Sequence, residues 1–250
     1  MKKSNLLAGM RIVDLSATLS EDMPCTWPGH FPYGHRKWKD FKDPSVYKTN
    51  FIIMDEHCGT HFDAKLHFIP EPDTQTGDQV ELKRLTGPAA VIDVREYNNH
   101  ASPGESPWIP LKEIYAWEQK YGPLESGDVV LFLTGWDRYY KPDEKGYSYL
   151  YGPVRDQQTP GWPSPDLDVV LYLARKGIIS IGTDAPSLGS VQNGAPVHQE
   201  GLQRGLSYIE GLSGLDRLPP VGAFFLFLPL KISGSTGCPG RAVAILPEGV

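Results

Sequence analysis

Residues 57–67 read His57-Cys58-Gly59-Thr60-His61-Phe62-Asp63-Ala64-Lys65-Leu66-His67, so three histidines and an aspartate fall within one short stretch. Imidazole nitrogens and a carboxylate together suit a divalent cation, and the chemistry they would serve is activation of water at neutral pH. All four stand at odd positions, which on an extended backbone turns them to one side. A helix would stack His57 and His61 but send Asp63 away from them. A straight strand would leave His57 roughly 13 Å from His61 at about 3.3 Å per residue, too far to share an ion with bonds near 2 Å. What remains is an extended segment bent between the two histidines, and Gly59-Thr60 is where glycine permits the bend. The spacing predicts a kinked strand-to-loop corner that gathers His57, His61 and Asp63 around one cation.

The elements around this corner can be read in order. Arg11–Leu15 is a short strand. Between Met23 and Tyr33, prolines recur too closely for regular structure; this loop either walls a pocket with Trp27 and Phe31 or is a surface loop anchored by its aromatics. Phe51–Met54 is strand-like and leads into the histidine segment. Ala89–Val94 and Val129–Thr134 read as strands, and Leu111–Lys120 reads as a helix with Leu111, Ile114 and Tyr115 on its apolar face, stopping at Gly122-Pro123. Tyr139–Trp162 loses periodicity and reads as a long surface excursion.

Ser164 and Pro165 suit the start of a helix with the stripe Leu167, Val170, Leu171 and Ala174, ended by Gly177. Strands follow at Ile178–Gly182, Ala223–Leu228 and Arg241–Leu246. Helices and strands alternate, so the expected class is mixed α/β, and with no internal repeat or linker the expectation is one domain over residues 1–250. His198 opens a short helix and Glu210 lies on a plausible strand edge. Folding could bring both to the corner, though an acid such as Glu210 is more often a solvated surface residue.

Composition limits the function classes. Hydrophobic content is 40% and charged content 22%, ordinary for a globular protein. The net charge of −6 without a dense basic cluster argues against nucleic acid or an anionic membrane as partner, leaving a small molecule as the expected substrate. Leu6–Leu15 is interrupted by Gly9, Arg11 and Asp14, so no signal-peptide core is expected, and no apolar run reaches the roughly 20 residues of a spanning helix. Cys25, Cys58 and Cys238 are widely spaced, which fits a reducing cytoplasm better than a disulfide framework. Ser187 lacks a G-x-S-x-G elbow, so no serine nucleophile is expected.

The histidine segment resembles the H-x-G-T-H-x-D-x-P-x-H signature of the cyclase family of metal-dependent hydrolases, whose members include kynurenine formamidases and isatin hydrolases. Leu124–Trp136, Ile181–Ser187, the pair His198 and Glu210, and Gly237–Ile245 resemble further landmarks in family order. The resemblance implies His57, His61 and Asp63 as primary metal ligands and His67 as the acid/base histidine. It implies that His198 and Glu210 complete the site or hold a second ion bridged by Asp63. It also implies the swivelling β/β/α fold, a homodimer or homotetramer with residues of a neighbouring subunit near the pocket, and zinc or manganese as the ion. Lys65 stands where the signature has proline; on an extended backbone it would share the ligands' parity and could meet a substrate carboxylate, or it could reach solvent.

The expected activity is hydrolysis of an amide, imide or lactone bond in a small cyclic or aryl substrate, closer to isatin hydrolases than to the compact formamidases. His67 would move the proton, a role contributing about 10² to 10⁴-fold. N-Formylkynurenine hydrolysis is the alternative within this class. A metal-dependent lyase or dehydratase, or a non-catalytic binder, would use the same residues differently.

Overall fold

A computed structural model describes residues 7–42, 45–98 and 100–249; Leu6, where the signal-peptide reading begins, lies outside the described residues. Its strands are β1 (Met10–Asp14), β2 (Gly34–Lys39), β3 (Thr49–Ile53), β4 (His61–Asp63), β5 (Thr86–Asp93) and β6 (Trp108–Ile109), then β7 (Val129–Leu133), β8 (Ser164–Pro165), β9 (Ser180–Thr183), β10 (Ser207–Glu210), β11 (Ala223–Pro229) and β12 (Gly237–Pro247). The α-helices are α1 (Leu111–Tyr121), the single turn α2 (Glu144–Gly146), α3 (Leu167–Lys176) and α4 (Ala195–Gln203).

Eight strands form one sheet in the order β1-β12-β11-β5-β7-β9-β10-β4. β4 also pairs with β12, so seven strands close into a barrel. β7 shows why the sequence builds this. All five of its residues are buried: Val129, Leu131 and Leu133 point into the barrel, while Val130 and Phe132 face the helices. A strand flanked by parallel neighbours and covered on both faces must be apolar throughout. β11 pairs antiparallel with both of its neighbours and alternates instead, burying Ala223, Phe225 and Phe227 and leaving Phe224 and Leu228 exposed.

Four readings change in the folded protein. Ser164 and Pro165 do not start α3; they pair as β8 with β6, and Ser164 Oγ donates to the Leu188 carbonyl at 2.7 Å. Asp166 caps α3 through its carboxylate, which accepts from the Leu167 N–H at 2.6 Å. The faces of two helices are rotated from expectation. α1 buries Ile114 and Trp117 rather than Tyr115, because the Trp117 indole N–H reaches the Val91 carbonyl at 2.9 Å; α3 buries Val169, Val170 and Leu173.

The Tyr139–Trp162 stretch is not a surface excursion. It contains α2 and a π-helical segment, Tyr147–Arg155, and buries Tyr149, Leu150 and Trp162. The Trp136 indole N–H donates to the Tyr149 carbonyl and that of Trp162 to the Gly189 carbonyl, so aromatic bulk is buried with its polar atoms satisfied. This wall packs against Cys25, Cys58 and Ala185 beside the histidine segment. No helix among the described residues is long and apolar enough to cross a membrane.

Asp184, at the end of β9, is completely buried. Its carboxylate accepts from the N–H groups of Thr134 at 2.9 Å and Gly135 at 2.7 Å, and from the Thr134 hydroxyl, pinning the turn after β7. Burial raises its pKa from 3.8 to about 7 against these hydrogen bonds. The folded protein therefore holds a proton that the unfolded chain releases near pH 4. The resulting stability is fully present below the unfolded value and lost as pH rises through 7. Urea unfolding at pH 5 and pH 8 should show stability falling with pH, and Asp184→Asn should flatten that slope; an unchanged slope in the variant would refute this account.

Candidate metal centre

The predicted corner forms. Gly59 adopts φ +62°, a left-handed conformation that favours glycine and turns the chain. Thr60 then locks the bend: its hydroxyl donates to the Gly211 carbonyl at 2.6 Å and accepts from the Ala17 N–H at 2.7 Å. β4 follows at once, wedged between β10 and β12, with Glu210 opposite His61 and Gly237 opposite Asp63. A Cβ on Gly237 would fall 2.6 Å from His57 Cε1, so the ring's place depends on that glycine too. α4 brings His198 in at its fourth residue rather than its first, and Tyr208 ties α4 to β10 by donating to the Val197 carbonyl at 2.6 Å.

Two triplets result. The ligand atoms of His57, His61 and Asp63 lie within 4.8 Å of one another, as do those of Asp63, His198 and Glu210. Asp63 Oδ1 is 2.8 Å from His57 Nδ1 and 3.6 Å from His61 Nε2, while Oδ2 is 3.6 Å from His198 Nε2. Glu210 Oε1 is 3.1 Å from His198 Nε2, and Oε2 is 3.7 Å from His61 Nε2. Donors bound tetrahedrally at about 2 Å stand about 3.3 Å apart. The observed spacings bracket that value.

The hydrogen bonds on the far side of each ring decide which nitrogen faces inward. A carbonyl can only accept, so His61 Nδ1–H donates to Gly59 O at 2.9 Å and His198 Nδ1–H donates to Gly194 O at 2.9 Å. The single proton of the Thr236 hydroxyl is committed to Glu56 Oε2 at 2.8 Å, so that hydroxyl accepts from His57 Nε2–H at 3.0 Å. Three ring nitrogens and two buried carboxylates therefore converge. Such a cluster requires positive charge at its centre, and the donor set fits a divalent cation. Among the described residues the only ion-pair partners of Asp63 and Glu210 are these imidazoles.

Electrostatics agree. Burial would raise the Asp63 pKa, but the His57 hydrogen bond and the charges of three imidazoles pull it below the usual carboxylate range. Burial would lower His198, yet the Glu210 hydrogen bond and the charges of Glu210 and Asp63 raise it to about 9. Glu210 is further held by the Leu188 N–H at 2.7 Å and the Ser187 hydroxyl at 3.2 Å. Ser187 is thus a donor to a carboxylate, in keeping with the reading that it is no nucleophile.

His67 sits on a 3₁₀ turn directly after β4 and stacks on His57 with ring centroids 3.8 Å apart. Among the described residues its ring nitrogens have no hydrogen-bond partner. Burial, opposed by Asp63 and backed by His57 and His198, lowers its pKa to about 4. It lines a cavity of about 360 Å³ together with His57, His61, Asp63, His198 and Glu210. Trp27, Phe68, Tyr140 and Tyr149 contribute aromatic walls, and Phe68 stacks on His198 at 4.4 Å.

Two expected contacts are not made. Phe31 is 56% exposed and does not line the cavity, because its loop turns Trp27 and His30 inward instead. Lys65 is half-buried on the 3₁₀ turn and also does not line it. The sequence reading missed the supporting pair Glu56 and Thr236, although each directly precedes a landmark segment, His57 and Gly237 respectively. Thr236→Val should free the outer nitrogen of His57 and weaken metal retention by about 10 to 100-fold with the fold intact; chelator competition measures it.

Comparison with known proteins gives the same picture. The Cyclase family profile matches residues 13–190. The chain is 32% identical to the isatin hydrolase of Roseibium aggregatum, covering 98% of this chain and 95% of that one. It is 30% identical to the kynurenine formamidase of Erythrobacter litoralis, covering 95% and 94%. Among solved structures, an isatin hydrolase bound to the product analogue thioisatinate superposes with a TM-score of 0.82 at 26% identity, covering 96% of this chain and 94% of that chain.

Proposed function

This chain belongs to the Cyclase family, and on that footing we propose that it is a metal-dependent hydrolase of a small cyclic or aryl substrate. The bond opened is an amide, imide or lactone bond, with an isatin-like carbon–nitrogen bond first among them. The observation that carries this reading is the convergence of three imidazole nitrogens and two carboxylates in an aromatic-walled cavity.

His57, His61 and Asp63 would hold one ion, and Asp63, His198 and Glu210 would complete the site or hold a second. A bound divalent cation supplies Lewis acidity, polarising a carbonyl and bringing the pKa of water from about 15.7 toward roughly 7. Zinc and manganese both suit imidazole with carboxylate. The carbonyls of Gly59 and Gly194 and the Thr236 hydroxyl hold the three rings in the tautomers that keep their lone pairs inward. His67, neutral, takes the proton of the attacking water and returns it to the leaving nitrogen. Trp27 and Tyr149 present flat apolar surface to a planar substrate. The reading includes a homodimer or homotetramer and, from three unpaired thiols, a cytoplasmic setting.

The test is elemental analysis beside a hydrolysis screen of isatin and N-formylkynurenine, with and without chelator. Zinc or manganese should be found, and isatin turnover should stop on chelation and return with metal. Turnover that survives complete metal removal overturns the proposal. N-Formylkynurenine hydrolysis is the second reading, favoured by the near full-length similarity to a kynurenine formamidase; the larger kcat/KM decides between them.

A further inference from the structure

Cys25 and Cys58 lie far apart in sequence and together in space. The Thr26 hydroxyl is 3.8 Å from each sulfur, so the two thiols share one neighbour. Their backbones already run side by side, since the Gly59 N–H donates to the Cys25 carbonyl at 2.7 Å. A disulfide needs neighbouring backbone and side chains turned toward one another; the Gly59–Cys25 backbone hydrogen bond and the hydroxyl that both sulfurs approach bring the pair into that relation. The two sulfurs differ in access. Cys25 borders the cavity, whereas Cys58 is wholly buried behind it. Neither thiol has a part in the hydrolytic chemistry.

We infer that Cys25 and Cys58 form a peroxide-reactive dithiol that closes to a reversible disulfide, tying the aromatic wall around Trp27 to the turn that carries His57. The cavity admits hydrogen peroxide to Cys25. Its sulfur attacks one peroxide oxygen; the O–O bond breaks, the thiol proton leaves with the other oxygen as water, and Cys25 becomes a sulfenic acid. The Cys58 sulfur then attacks the Cys25 sulfur. The S–OH bond breaks, the Cys58 proton leaves with the hydroxyl as a second water, and the S–S bond forms. Two thiols lose two electrons and two protons, and one peroxide gains them.

Cys238 is the internal control. It is buried in the barrel core, donates to Ser235 Oγ at 3.5 Å and is no neighbour of the pair. After peroxide treatment of the protein as purified with its metal, the intact mass should fall by two hydrogens and recover with dithiothreitol. Peptide mapping should join Cys25 to Cys58 while Cys238 remains alkylatable after denaturation. In Cys58→Ala, dimedone should capture a sulfenic acid on Cys25. A cross-link through Cys238 or between two chains, a gain of oxygens without a disulfide in the wild type, or dimedone capture on Cys238 instead of Cys25 would each overturn the inference. Because mass is the readout, the result is independent of whether the hydrolase reading holds.

Discussion

Asp63→Ala should abolish both metal retention and hydrolysis, the largest effect of any single substitution in this protein. The carboxylate is common to both triplets: Oδ1 faces His57 and His61, and Oδ2 faces His198. Its loss leaves three imidazoles and Glu210, which retain the geometry of neither triplet. Activity should fall by on the order of 10³-fold or more, the scale on which removing an electrostatic partner from a dry site is felt. Metal content measured after gel filtration should fall to background. His198→Ala gives the contrast, because it touches one triplet only: the protein should keep the ion held by His57, His61 and Asp63. Equal metal loss in the two variants would show that the cluster holds its ions as one unit.

His67→Ala should behave in the opposite way, keeping metal and losing rate. The ring lies on a turn outside β4, its nitrogens have no partner among the described residues, and it meets the cluster only by stacking on His57. Its removal therefore leaves the ligand atoms and their outer hydrogen bonds in place. A positioned acid/base group is worth about 10² to 10⁴-fold, and a loss in that range with unchanged metal stoichiometry is the expected result. The deficit should appear in kcat rather than KM, since the aromatic walls that hold the substrate are untouched. A variant that also lost its metal would make His67 a support for His57 rather than a proton carrier.

The bend that gathers His57, His61 and Asp63 was legible because its determinants are local. The spacing of His57, His61 and Asp63 is incompatible with a helix or a straight strand, and Gly59 supplies the one backbone conformation that reconciles them. Strand identities were legible for the same reason, as in Val129–Leu133, where an unbroken apolar run demands burial on both faces. The faces of α1 and α3 were misjudged because burial was decided by what lies opposite, such as the Val91 carbonyl that draws Trp117 inward. Likewise the Tyr-rich segment has no local periodicity, and only the neighbouring Trp136 and Trp162 explain why Tyr149 and Leu150 are buried.

The sequence by itself determined which atoms could bind an ion and that His57, His61 and Asp63 had to bend toward one another to share one, because neighbours in the chain cannot avoid one another. Tertiary structure decided the rest: that Glu210 stands opposite His61, that α4 delivers His198, and that Gly59, Gly194 and Thr236 fix which nitrogen of each ring looks inward. Those outcomes depend on β4 being gripped by β10 and β12 at once. A closed barrel sets such pairings through contacts between residues far apart in the chain, where no local spacing carries the information.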